Sequence, residues 1–284
     1  GTPFSNNASL RWQSMTMNRY EWDVKETFAW NWLDSRLLRG GPDVRFGSYF
    51  LTSAKFNTDK AKRMMFMLKY EGDHNFEGNR FNTISPSLTF RLGNHVYLSG
   101  QLDYAWNTDE MQYVATTSPL SSSSLAPYYY VMGHMDQKTY GLTLKLQVNV
   151  TPDISIQFYG APFTSIAKYD DFKLAADTKS HTFENRFQRI DPDQLTYADG
   201  VYTIGEGAGQ MPFRNPDFRF NEFRSNLVAR WEYLLGSTLY FVWEHRMSNR
   251  DNWYSSGWGS NLDRMWGLPA TNTFMIKMNY WFNL

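Results

Sequence analysis

F-M-I-K-M-N-Y-W-F-N-L, residues 274–284, ends the chain. Phe274, Ile276, Met278, Tyr280, Phe282 and Leu284 fall on one face of an extended segment, and Lys277, Asn279 and Asn283 on the other. Side chains of a β-strand alternate between the two faces of its sheet. The spacing therefore predicts a strand over 272–284 with one apolar and one polar side. A strand left flush with a C-terminus offers unpaired backbone groups that template aggregation. A transmembrane barrel avoids this, because its last strand closes against an earlier one. The expected fold is all-β: an antiparallel up-and-down transmembrane β-barrel.

The same template recurs upstream. Over 139–150, T-Y-G-L-T-L-K-L-Q-V-N-V, the residues Tyr140, Leu142, Leu144, Leu146, Val148 and Val150 share one face. Thr139, Thr143, Lys145, Gln147 and Asn149 share the other. Thr151-Pro152-Asp153 is a turn, and Ile154, Ile156 and Phe158 then resume the apolar face, which spells a hairpin. Gly93-Asn94-His95 joins 83–92 to 96–106, and Leu235-Gly236-Ser237 joins 223–233 to 238–247. A fourth hairpin pairs 44–56 with 63–71. Eleven strands are predicted, at 9–18, 20–33, 44–56, 62–71, 82–92, 95–107, 138–150, 153–164, 222–234, 237–248 and 272–284. In the second of them Glu26 shares a face with Trp22, Val24, Phe28 and Trp30. Either a bulge shifts the register there or Glu26 lies beyond the hydrocarbon.

Turns inside the hairpins are short, whereas the connections between hairpins, 72–80, 108–138, 165–220 and 249–270, are long and polar. Loops sorted by length in this way mark a membrane barrel, with short turns in the periplasm and long loops outside the cell. A soluble β-sandwich shares the alternation but has no reason to sort its loops. Most strands also have the ~9–11 residues that cross a bilayer at a tilt. From 44 onward the apolar faces carry no Asp, Glu, Lys or Arg. The opposite, lumen-facing side carries Arg63, Lys69, Arg91, Asp103, Lys145, Arg230, Glu232, Glu244 and Lys277. A charge facing lipid at the midplane costs roughly 2–4 kcal/mol, enough to enforce that segregation.

Composition excludes several classes. Basic and acidic residues balance at 28 each, which argues against a nucleic-acid partner. Aromatics reach 18% while mean hydropathy is negative, as alternating strands require, since their polar half masks the apolar half in any average. No apolar run approaches the ~20 residues of a membrane helix. Without cysteine there are no disulfides and no thiol chemistry. The histidines (His74, His95, His134, His181, His245) lack metal-ligand spacing, and the first four read as turn or loop residues. No catalytic, metal or cofactor residues are expected. His245, near a strand end, is the position that would suit a serine-hydrolase dyad, but no serine in a specific sequence context accompanies it. Gly205-Glu206-Gly207-Ala208-Gly209 lacks the Gly-Lys-Ser/Thr ending of a phosphate loop and reads as a flexible outer loop. In 249–270, Trp253, Tyr254, Trp258 and Trp266 stand among Asn, Ser and Gly. They either contact a glycan or partner protein, or fold the loop onto the barrel rim.

Four stretches carry a resemblance: R-G-G-P at 39–42, N-P-D-F-R-F-N-E-F-R-S-N-L-V-A-R-W-E-Y at 215–233, G-S-T-L-Y-F-V-W at 236–243, and the closing M-N-Y-W-F. They resemble a large family of Gram-negative outer-membrane proteins whose C-terminal region is catalogued as a domain of unknown function, DUF5916. In full-length members that region usually follows a carbohydrate-binding family 9-like domain. The resemblance implies an outer-membrane barrel with a glycan link and supplies no active-site residues. Ile276, Met278, Tyr280, Phe282 and Leu284 also resemble the C-terminal signal read by the barrel-assembly machinery, with Leu284 in place of the usual Phe.

Counting eleven strands back from a periplasmic C-terminus makes the first strand a descending one. Bacterial barrels have even strand numbers, so either a strand lies upstream of Gly1, with 1–284 the single C-terminal domain of a larger barrel, or one ascending strand within 1–284 escapes the pattern. The expected role is non-enzymatic: an outer-membrane anchor or scaffold for an upstream carbohydrate-binding domain, or a subunit of an outer-membrane complex. A passive or gated pore for small hydrophilic solutes is the alternative, and an outer-membrane lipid hydrolase the more distant one. Expected partners are outer-membrane lipids and lipopolysaccharide, the assembly machinery, and other outer-membrane or surface proteins.

Overall fold

A computed structural model describes residues 6–30, 32–120, 127–251 and 258–282. The chain opens with β1 (Asn6–Met15) and β2 (Glu21–Trp30), followed by a small hairpin of β3 (Trp32–Asp34) and β4 (Val44–Phe46). Then come β5 (Tyr49–Asn57), β6 (Met64–Asn75), β7 (Arg80–Leu92), β8 (Val96–Thr117), β9 (Tyr129–Asn149) and β10 (Ile154–Ala175). Next, β11 (Phe187–Arg189) precedes a three-stranded sheet of β12 (Leu195–Ala198), β13 (Val201–Ile204) and β14 (Met211–Arg214). The chain continues through β15 (Phe218–Leu234), β16 (Ser237–Asp251), helix α1 (Trp258–Trp266) and β17 (Ala270–Asn279).

One antiparallel sheet dominates, in the order β1-β2-β5-β6-β7-β8-β9-β10-β15-β16-β17, with β11 added to β10 as a twelfth strand. Its eleven-strand path matches the eleven expected strands in sequential order. Short turns gather at one end. Gly93 and Gly236 take φ +64° and +78° there, a left-handed conformation that costs glycine little. At 150–153 the Thr151 hydroxyl accepts the N–H groups of Asp153 (3.2 Å) and Ile154 (3.0 Å), closing the turn by side chain. Because an odd number of antiparallel strands forms the path, β1 and β17 run in the same direction. They are the two edges of the sheet, and no ladder joins them among the described residues. Closure of the expected barrel is not seen among the described residues, in which β1 and β17 are the edge strands of the sheet.

Strand bounds differ from expectation mainly at the long-loop end. The three strands β8, β9 and β10 hold 22, 21 and 22 residues, about twice a bilayer crossing, so 108–138 and 165–220 are only partly loop. Their extra residues bury both faces, which erases the period-two contrast. Register shifts between Asp109 and Gln112, Tyr113 and Ala115, and Asp170 and Lys173 break the pattern further. His134 consequently lies in β9 and His74 in β6, not in loops. The connection expected at 72–80 is a tight turn, in which Asn75 Oδ1 accepts the N–H groups of Glu77 (2.9 Å) and Asn79 (2.8 Å). Segment 44–56 divides because β4 pairs with β3 whereas β5 pairs with β2 and β6. The glycine-rich 205–209 is the turn of the β13–β14 hairpin. At the C-terminal end β17 stops at Asn279, where the Trp281 N–H donates to Ser237 Oγ at 3.0 Å.

The two faces of the sheet are chemically distinct. Residues 96–106 of β8, 140–148 of β9, 223–233 of β15 and 239–247 of β16 form an apolar band on the outer face. At its upper end Phe223 meets Trp266 of α1 and Met247 is buried; elsewhere no described residue covers the band, and Leu144 is 39% exposed and Ile276 71%. Tyr104 stacks on Tyr140 (5.0 Å) and Trp106 (5.3 Å) at its upper margin, and Trp231 meets Tyr233 (6.0 Å) at its lower one. The next rung above is polar: Glu26, Thr52, Gly72, Asn82, Trp106 and Lys138 are successive cross-strand partners. The β1–β2 and β2–β5 ladders are unbroken, so no bulge reorients Glu26, which accepts the Thr52 hydroxyl at 2.7 Å.

Among the described residues, buried apolar clusters form at the long-loop end. On one face of β9 and β10, Val131, Met135, Ala167, Phe172 and Leu174 pack against Ile204 and Phe213 of the small sheet. On the opposite face Met132 packs with Met111, Phe187, Leu38 and Val44. These two layers and the strands between them form a cap.

Candidate functional site

The inner face below the cap carries charge, part of it in local pairs. Lys69 stands opposite Lys55 and is bound to Glu71 at 2.7 Å. Asp103 accepts Ser85 Oγ (2.6 Å) and Gln101 Nε2 (2.9 Å). Glu222 takes both Arg224 (2.9 Å) and Arg246 (2.8 Å). Arg230 binds Glu232 at 2.6 Å, and Glu232 also accepts the Gly236 N–H at 3.1 Å. Lys145 and Glu244 lie on the rung of Ser99, Tyr159 and Asn226, and Lys277 stands opposite Tyr240. Near the short turns Arg91 donates to the Lys60 carbonyl at 3.0 Å. Eight of the nine expected lumen charges share this face, while Arg63 falls in the 58–63 turn outside any strand. Ion pairs thus hold Lys69, Arg224, Arg246 and Arg230, whereas Arg91, Asp103, Lys145, Glu244 and Lys277 form none among the described residues.

Above the band, the β3–β4 hairpin folds against β5, β6, β7 and β8 and closes a cavity. Trp32 stacks on Phe46 (5.2 Å) and leans on Tyr49 (5.3 Å); Phe81, Asp73, Asp109 and Arg80 are among the other lining residues. Burial pushes the Asp73 carboxyl up. It does the same to Asp109, against the Met111 N–H that donates to it at 2.9 Å. Burial and the neighbouring Asp73 charge raise the Tyr49 phenol. Nearby, burial alone would lower the His134 imidazole, but Glu110 at 3.1 Å, with Asp136 and Asp170, outweighs it and raises the group. The cavity draws on four strands and a hairpin, so no contiguous motif announced it in the sequence.

Arg186 ties the cap together. It is 1% exposed and donates to the carbonyls of Arg45 (2.7 Å) and Ser180 (2.8 Å) while gripping Glu77 with two nitrogens (2.9 and 2.8 Å). Glu77 also accepts the Gly47 N–H at 2.9 Å, so one ion pair fastens loop 176–186 to the β6–β7 turn and to β4. Sequence reasoning missed this pair, whose members stand far apart in the chain.

Of the expected contact aromatics, Trp266 lies on α1 against Phe223 (4.9 Å) and remains 57% exposed. Asn261 and Met265 of the same helix are buried, and the helix lies against β10, β15 and β16. Trp253, Tyr254 and Leu284 lie outside the described residues, as does the side chain of Trp258. Of the C-terminal signal, Ile276 and Met278 are in β17, and Tyr280 and Phe282 lie beyond its end. Among the described residues no group of three His, Asp or Glu is placed to hold a metal.

A family profile described as "Domain of unknown function (DUF5916)" matches residues 2–284. The chain belongs to this family. No curated protein matches the DUF5916 chain in sequence. Among solved structures it is similar to one titled "Copper transporter OprC", at 11% identity and a TM-score of 0.45. That likeness covers 98% of this chain and 42% of the other, so the DUF5916 chain spans less than half of its length. A likeness this remote says nothing of copper or of transport here.

Proposed function

We propose that this DUF5916 chain is the wall of an outer-membrane β-barrel and serves as an anchor that presents a folded cap. In this reading the short turns and C-terminus face the periplasm and the cap stands outside the cell. One observation carries it. The same strands leave a bare apolar band about one bilayer crossing high, then continue into a region where both faces are packed with protein. Lipid would cover the first region, and water the outside of the second. The inner wall, where ion pairs and unpaired charges of both signs mix, favours an anchor over an ion-selective pore. The cap offers the docking surface for a neighbouring domain or outer-membrane protein.

The test uses the chain folded into phospholipid vesicles. Protease should spare 138–164 below the cap, and planar bilayers containing the protein should stay electrically silent. Stable open channels would convert the anchor into a conduit. Cleavage throughout the strands would remove the membrane reading itself.

A further inference from the structure

One rung of the outer apolar band breaks its own pattern. Across β6 to β10 it reads Phe66, Leu88, Gly100, Leu144 and Gly160, and it then continues as Ser225, His245 and Asn272 on β15, β16 and β17. Polar side chains turned toward lipid are costly, and where they persist they mark function. Three such residues here are direct cross-strand neighbours, a relation that places Cβ atoms ~4.5–5.5 Å apart.

The local hydrogen bonds order this trio. Asn272 Oδ1 accepts the Trp243 indole N–H at 2.9 Å and lies 2.9 Å from His245 Nδ1. An indole nitrogen only donates, so the amide must turn its oxygen toward both rings. His245 therefore carries its proton on Nδ1 and keeps Nε2 free as a base. Phe223 sits edge-on to His245 (5.8 Å) and is covered by Trp266 (4.9 Å), while the Phe158 ring lies over Gly160 beside Ser225. An imidazole oriented by an amide stands opposite a serine in the ladder and is flanked by rings; no hydrogen bond joins Ser225 Oγ to His245 among the described residues, so the pair would have to close on substrate to act as nucleophile and base. The sheet register sets Ser225 of the preceding strand opposite His245, a juxtaposition no local sequence context announces.

We infer that Ser225, His245 and Asn272 form a hydrolytic triad on the lipid-facing surface, acting on the acyl ester of a membrane lipid; this rests on the membrane reading above. Ser225 Oγ attacks the ester carbonyl carbon as His245 Nε2 takes the hydroxyl proton. The ester C–O bond then breaks, the proton passes to the departing alcohol oxygen, and a lysolipid leaves an acyl-serine. Water adds to that acyl carbon through the same base, releasing fatty acid and restoring Ser225. Ester and water become acid and alcohol, with nothing oxidised or reduced. Asn272 is the positioning residue, because it holds the base and the Trp243 indole and touches no reacting atom.

The experiment treats the full chain, folded in phosphatidylethanolamine and phosphatidylglycerol vesicles, with an alkyl fluorophosphonate. Membrane insertion is scored separately by protease protection, so loss of the membrane reading shows there and loss of the triad shows only in labelling. The probe should label Ser225. Ser225→Ala should abolish labelling, whereas Ser99→Ala on the inner face should leave it intact. His245→Gln should slow it on the order of 10²–10⁴-fold. Asn272→Ala should slow labelling and change its pH profile, and Asn272→Asp should restore both. An inserted wild-type protein that takes no label, or labelling that survives Ser225→Ala, overturns the triad.

Discussion

Within β9, residues 140–148 and residues 129–135 form two surfaces on one backbone. In the first stretch Leu144 lies bare on one side and Lys145 is exposed on the other. In the second, the consecutive residues Val131 and Met132 are both fully buried, one in each of the two cap cores. Apolar surface is removed from water in both places, at roughly 25 cal/mol per Å². The agents differ. Protein layers cover the upper stretch, whereas nothing in the chain covers the lower one. Exposed leucine in the band is therefore a statement about its solvent, and the two halves should respond differently to substitution.

The largest separation should come from Arg186→Ala. It leaves the half-buried Glu77 without its cation, retaining only the Gly47 N–H; breaking a buried pair on one side costs about 3–5 kcal/mol, and the loss here should approach the lower end of that range. Amide hydrogen exchange should accelerate through the cap, including Met132 and Leu174, while β15 and β16 between 227 and 242 keep their protection. Uniform acceleration along the strands would mean that the cap and band are a single cooperative unit.

Next in size is Leu144→Arg against Thr143→Arg, adjacent residues on opposite faces of β9. Measured by urea unfolding from lipid vesicles, the first should lose roughly 2–4 kcal/mol and the second far less. Equal losses would erase the distinction between the faces.

The same contrast explains what the sequence disclosed. In the band each strand has one polar and one apolar face, so residues such as Leu142, Leu144 and Leu146 declared their strand, their face and their hairpin partner. The cap was illegible because Val131 and Met132 are both apolar and both buried, which leaves no period to read. Three register shifts there scramble whatever alternation remains. Arg186 and Glu77 looked like ordinary solvated charges, and nothing local marks them as partners. The Ser225–His245–Asn272 rung was hidden for a related reason. Each residue is a small exception on its own strand, and only the ladders collect the three.

Acidity should move the two halves apart by a smaller amount. The His134 imidazole is raised in the folded cap, chiefly because Glu110 with Asp136 and Asp170 overcomes the lowering effect of burial. Its contribution is complete below the ordinary imidazole range and is lost as pH rises through the folded value. Burial raises Asp73 and Asp109, so their folded forms also hold protons longer than the unfolded chain does. That contribution likewise is present in acid and falls away as pH rises. Cap amides should be better protected at about pH 5.5 than at about pH 8, with the band unchanged, and His134→Gln should flatten the upper part of that dependence.

The smallest effect expected is that of Glu71→Gln on the inner face of the band. Glu71 holds Lys69 at 2.7 Å, yet both side chains keep more than a third of their surface in solvent. Exposed pairs contribute about 0–1 kcal/mol, because water screens the charges and ordering two long side chains costs entropy. Lys55 stands directly opposite Lys69, so removing the carboxylate leaves two ammonium groups facing each other across the ladder. The loss should therefore grow at low salt and fade as the Debye length shrinks toward ~8 Å at physiological ionic strength. Unfolding from vesicles at two salt concentrations measures it. A loss matching that of Arg186→Ala and indifferent to salt would mean that the inner wall is as dry as the cap, and that the contrast drawn along β9 applies only to its outer face.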